Sequence, residues 1–163
     1  MDLQFRDVIW HQFGAAIDML ENAINACPEE VWNDRSRNPQ FWYVAFHTLF
    51  WLDLYLADSL ETFTPPAPFT IAEIESEQVP ETPYTKAQLQ KYLEHGRRQC
   101  REWISGVTDD QLVCRCPFEW VEGTNAELML YNMRHVQHHA AQLNLILRQT
   151  IDSAPGWVAK VKM

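Results

Sequence analysis

Arg134-His135-Val136-Gln137-His138-His139-Ala140-Ala141-Gln142 lies in a segment whose apolar residues recur at helical spacing from about Thr124 to about Thr150. At about 100° per residue, His135 and His139 fall about 40° apart on the helical wheel, one turn above the other, so both rings can reach one ion. His138 falls about 60° to the other side of His135. Leu128, Met129, Met133, Val136, Leu143, Ile146 and Leu147 centre on the His139 side, so His139 is expected to point further into the protein than His138. Neutral imidazole suits zinc, nickel, copper or iron, and the i, i+4 pair is the spacing a helix uses to chelate. Buried histidines satisfied only by hydrogen bonds are the plainer alternative. Three imidazoles within five residues favour a metal site over it.

Two ligands from one helix need a third from elsewhere. His47 sits in Phe41-Trp42-Tyr43-Val44-Ala45-Phe46-His47-Thr48-Leu49-Phe50-Trp51-Leu52-Asp53-Leu54-Tyr55-Leu56, where its neighbours at helical spacing are Tyr43, Val44, Phe50, Trp51 and Leu54. Its ring is therefore directed into apolar surroundings, where it needs a partner. A metal shared with a facing helix supplies one, as does a tyrosine or a backbone carbonyl.

A histidine in an aromatic second helix, followed by a last helix reading His135-x-x-His138-His139-x-x-Gln142, resembles the DinB-like (YfiT-type) superfamily of metal-binding four-helix proteins. The resemblance implies that His47, His135 and His139 are the metal ligands, with His138 and Gln142 beside the site. It implies that thiol transferases and metal-dependent hydrolases share the fold. Many members carry Arg-Gly between the paired histidines and the glutamine, where this chain has Ala140-Ala141.

The rest of the chain supports an all-α protein. Its 163 residues, 47% hydrophobic and 12% aromatic, suffice for one domain spanning 1–163. A first helix is expected from about Leu3 to about Ala26, with Val8, Phe13, Ile17, Leu20 and Ile24 facing the core and His11 as a further pocket candidate beside Tyr43 and Trp51. Pro28-Glu29-Glu30-Val31-Trp32 reads as a single turn. Asn38-Pro39 predicts the start of the second long helix, which is expected to end near Ser59. Pro65, Pro66, Pro68, Pro80 and Pro83 make the next stretch a long crossover, with Glu73, Glu75, Glu77 and Glu81 as a solvated acidic face. Thr85-x-x-Gln88 and Thr124-x-x-Glu127 are capping boxes opening the third and fourth long helices, and Leu89, Tyr92, Leu93, Trp103 and Ile104 are the third helix's core candidates. Between these helices, Leu112–Cys116 and Phe118–Val121 predict two short strands about Pro117, a hairpin-like segment. Trp157 is expected to dock back on the bundle. The fold expected is thus a four-helix bundle with a long crossover between its second and third helices.

Composition also narrows function. A formal net charge of −9 without Lys or Arg clusters argues against nucleic acid, and the absence of a long uncharged apolar run argues against a membrane span. A cytoplasmic location is expected, because Cys27, Cys100, Cys114 and Cys116 do not form a disulfide framework and no signal-peptide pattern opens the chain. Cys114-Arg115-Cys116 reads as two small buried residues of a strand, and Cys100, near Arg98 and Arg101, as a somewhat acidic thiol without a nucleophilic role. The expected cofactor is a divalent transition metal, zinc or nickel, in a site open to a small molecule. The expected function is a metal-dependent enzyme activating a small thiol or water. The competing class is a non-catalytic metal- or ligand-binding stress-response protein. Trp10, Trp42, Trp51 and Trp103, all on helices, lead to the expectation of a homodimer.

Overall fold

The computed structural model describes residues 3–75, 80 and 82–161. Four long helices, α1 (Leu3–Ala26), α3 (Phe41–Leu54), α5 (Lys86–Gly106) and α7 (Asn125–Ile151), pack as an all-α bundle. Three short ones, α2 (Glu29–Trp32), α4 (Ala72–Glu75) and α6 (Asp109–Val113), sit in the connections. The main pairings join α1 to α5 and α7, and α3 to the same two helices.

Local chemistry sets several of the boundaries. Thr85 and Thr124 accept hydrogen bonds from the backbone N–H groups of Gln88 and Glu127, and those side chains reach back to the threonine backbone, closing both expected capping boxes. Asp152, in the left-handed conformation at φ 53°, ends α7. Pro28, extended at ψ 157°, separates α1 from α2.

α3 is apolar nearly all round because it is buried nearly all round. Phe41, Trp42, Phe46, Phe50 and Leu52 are each at most 2% exposed, so this helix is the centre of the core and carries no polar stripe. It differs from expectation at both ends. Gln40, not Asn38, precedes its first residue, and past Leu54 the chain tightens into i→i+3 bonds at Leu56 and Ala57 instead of continuing to Ser59. Phe69 of the crossover stacks on Tyr92 of α5 at 4.3 Å between centroids and lies against Phe46 at 5.8 Å. This plug holds α4 against α3.

Three further expectations change. Among the described residues no strand forms: Asp109–Val113 is helical under a third capping box at Thr108, and the hairpin-like segment reduces to one antiparallel bridge, Arg115 to Thr124. Thr108-x-x-Gln111 carries the same signal as the other two boxes and wins over the local strand pattern. Val8 is 53% exposed and lies outside the core that Phe13, Ile17, Leu20 and Ile24 build. Trp157, 73% exposed, does not dock; Val161 does, bonding backbone to backbone with His11 and leaving no room for a Cβ on Gly14. Among the described helices none is long and apolar enough to cross a membrane.

Candidate metal centre

Packing α7 on α3 brings His47, His135 and His139 together, with one ligand nitrogen from each within 4.8 Å of the others. The Nε2 atom of His135 lies 3.1 Å from that of His139 and 3.4 Å from that of His47. A tetrahedral ion with bonds of about 2.0–2.1 Å sets its ligand nitrogens about 3.3–3.4 Å apart, so the trio is spaced for one ion.

The far sides of two rings are fixed. His47 Nδ1 lies 2.5 Å from Glu73 Oε1, and His139 Nδ1 lies 2.7 Å from Gln142 Oε1. Both oxygens are acceptors, so each ring places its proton on Nδ1 and turns an Nε2 lone pair toward the centre. Tyr43 donates its hydroxyl to the same carboxylate at 3.1 and 3.2 Å. His135 Nδ1 is buried without a partner.

Electrostatics keep the His135 and His139 rings neutral. Burial, then the neighbouring imidazoles His139, His47 and His138, push His135 down to about 3. Burial also pulls His139 down to about 4, against the hydrogen bond its Nδ1–H donates to Gln142, which acts upward. Neutral imidazoles offer lone pairs at pH 7 without losing a proton first. This donor set of three imidazole nitrogens, preorganised by a carboxylate and an amide, fits a divalent transition ion.

Glu73 corrects the reading of the crossover as a solvated face. It is 6% exposed, carried by α4 into contact with His47. Its place depends on the Phe69 plug, a contact made across the fold that no local pattern encodes. The side chain of Glu75 and residues Glu77 and Glu81 lie outside what the structure describes.

A cavity of about 610 Å³ opens beside the histidines. Tyr43, Trp51, His47, His139 and Gln142 line it, joined by Tyr55, Glu73 and Trp120. His138 is exposed and faces a separate groove with Tyr131 and Arg134; it borders the site through Gln142 Nε2 at 3.0 Å and through its ring, which meets that of His139 edge-on at 5.1 Å. His11 is not among the cavity's lining residues; it is on α1, at the Val161 contact. Tyr55 and Trp120, which sequence reasoning missed, come from the end of α3 and from the loop before α7, and the Trp120 indole donates to the Tyr55 hydroxyl at 3.2 Å.

The cysteines are not part of the site. Cys114 is exposed whereas Cys116 is buried, so they do not share a face. Burial pushes the Cys100 thiol up, overriding the lowering by Arg97 and reversing the acidic expectation.

A family model described as the DinB superfamily matches residues 12–143, which contain all three histidines and Glu73. No curated protein matches the sequence.

Proposed function

The chain belongs to the DinB superfamily, and from that premise we propose that it is a metal-dependent enzyme holding one divalent transition ion, zinc or nickel, on His47, His135 and His139. The convergence of three Nε2 lone pairs beside a cavity carries the proposal. Three protein ligands leave a coordination position open, as catalytic rather than structural sites do. When bound, such an ion supplies Lewis acidity that lowers the pKa of a coordinated thiol or water.

The protein's own groups favour the thiol over water. Glu73, the carboxylate among the described residues lining the cavity, is engaged by His47 and Tyr43 on the side of the His47 ring away from the centre. It orients a ligand and is not placed to take a proton from a nucleophile. Tyr55, pushed upward by burial, stays a neutral hydroxyl. A thiol needs no general base once its acidity is raised, whereas hydrolysis at neutral pH gains from one. His139 and His47 contribute by orientation, held by Gln142 and Glu73. Trp51 and Trp120 form one side of the cavity.

The test is turnover with low-molecular-weight thiols and a panel of electrophiles, beside ester and amide panels, using zinc- and nickel-loaded protein and chelator-treated controls. Metal-dependent consumption of thiol and electrophile in equal amounts supports the assignment. Metal-dependent ester or amide cleavage alone makes the protein a hydrolase. No metal-dependent turnover in any panel leaves a metal-binding protein without catalysis. A homodimer remains part of the proposal: Trp42 is buried and the other helical tryptophans pack on the core, but Leu130, Tyr131 and Leu145 leave apolar surface on α7 for a partner, which light scattering tests.

A further inference from the structure

We infer that the cavity beside the histidines selects an uncharged, largely aromatic small molecule. This rests on the proposed function, for which it names the class of electrophilic co-substrate. The wall is built from rings. Trp51 lies 5.4 Å from Tyr55 and meets Trp120 edge-on at 6.1 Å and 87°, while Tyr43 and Trp51 flank His47 at 6.3 and 6.1 Å. Val44 and Ile74 add aliphatic surface. Offset and edge-to-face geometry of this kind receives a further aromatic ring well.

Charge is selected against. Among the described residues that line the cavity there is no Lys or Arg, Glu73 is present, and the whole chain carries a formal net charge of −9. A carboxylate or phosphate entering this cavity loses hydration and finds no cation from the protein to replace it. A cationic guest fares little better, because the Glu73 carboxylate is already held by His47 and Tyr43. One polar contact remains on offer. The Trp51 indole N–H is buried and has no acceptor among the described residues, alone in this respect among the described side chains lining the cavity. A carbonyl or hydroxyl oxygen on the guest would satisfy it.

Three probes share one ring system and differ in charge: 1-naphthalenemethanol, 1-naphthoate and 1-naphthylmethylammonium. Calorimetric titration into chelator-treated protein separates the cavity from any attraction of an anion to a bound ion. The neutral alcohol is expected to bind at least about tenfold tighter than either charged probe, and Trp120→Ala, at a half-exposed residue of the loop before α7, to weaken it about tenfold. Trp51→Phe keeps an aromatic ring without the N–H and is expected to weaken the alcohol about fivefold more than it weakens 1-methylnaphthalene. Naphthoate or the ammonium binding as tightly as the alcohol overturns the inference, as does no effect of Trp120→Ala. Zinc titration of the same preparation distinguishes the two failures. Zinc bound without naphthalenemethanol leaves the metal reading standing and this inference refuted. Naphthalenemethanol bound through Trp120 without zinc upholds the cavity's selectivity and refutes the metal reading.

Discussion

Replacing Glu73 should weaken metal binding even though Glu73 is not placed as a ligand. Its carboxylate accepts from His47 Nδ1 at 2.5 Å and from the Tyr43 hydroxyl at 3.1 and 3.2 Å, while only 6% exposed. It thereby fixes which His47 nitrogen bears the proton and how the ring is turned. Loss of such an outer partner costs roughly 10–100-fold in metal affinity, or about 1.4–2.7 kcal/mol. Glu73→Gln keeps the size and one acceptor oxygen and should fall at about tenfold. Glu73→Ala removes the acceptor that both His47 Nδ1 and the Tyr43 hydroxyl use, so it should approach about a hundredfold. The assay is competition for zinc against a chromophoric chelator, with circular dichroism on the same samples to show that the helices persist. Glu73→Ala binding zinc as tightly as the parent, with the fold intact, refutes the positioning role.

Other consequences follow from burial and packing. Metal-free protein should lose stability on acidification. The folded-state values of His135 and His139, about 3 and about 4, lie below the unfolded value of about 6.5, so below that value the unfolded chain binds protons that the folded one refuses. The loss should begin as pH drops through about 6.5 and grow until about 4, at no more than ~1.4 kcal/mol per unit for each ring and less for their partial exposure. Urea titrations from pH 7.5 to 4.5 measure it, and a flat profile contradicts the buried neutral rings. Gly14→Ala places a Cβ 2.8 Å from Val161 Cβ, a stiff branched side chain, and should cost about 1–2 kcal/mol by dislodging residues 154–161 from α1. Thermal unfolding checks it, and an unchanged Tm counts against the docking of that segment. Cys114 alone is exposed, while burial pushes Cys27 up to about 12 and Cys100 higher still. A thiol reagent should therefore modify close to one cysteine rapidly in native protein and the others only on unfolding, and rapid modification of all four would contradict the packing.

The parts of this fold that sequence encodes locally were legible. Thr85-x-x-Gln88 and Thr124-x-x-Glu127 mark their helix starts through bonds within one turn, and the i, i+4 spacing of His135 and His139 fixes their shared face. His47 was readable because apolar neighbours at every helical offset aim its ring inward. The parts set by long-range packing were not. Glu73 lies 26 residues from His47 among other acidic residues, and nothing nearby distinguishes it before Phe69 is seen wedged against Tyr92 and Phe46. Trp120 reads as a strand residue until the Thr108 box turns the preceding segment helical. Val8 and Trp157 show the limit of counting apolar residues, since helical spacing and ring size do not say which side the neighbouring element covers.

The most direct test of the metal centre is elemental analysis of the purified protein beside His47→Ala and His139→Ala. The predicted result is close to one zinc, nickel or other transition ion per chain in the parent and none retained by either variant, with both still helical. A parent that holds no metal and takes up neither zinc, nickel nor iron, with variants that lose only stability, would make the three histidines core residues and contradict the account.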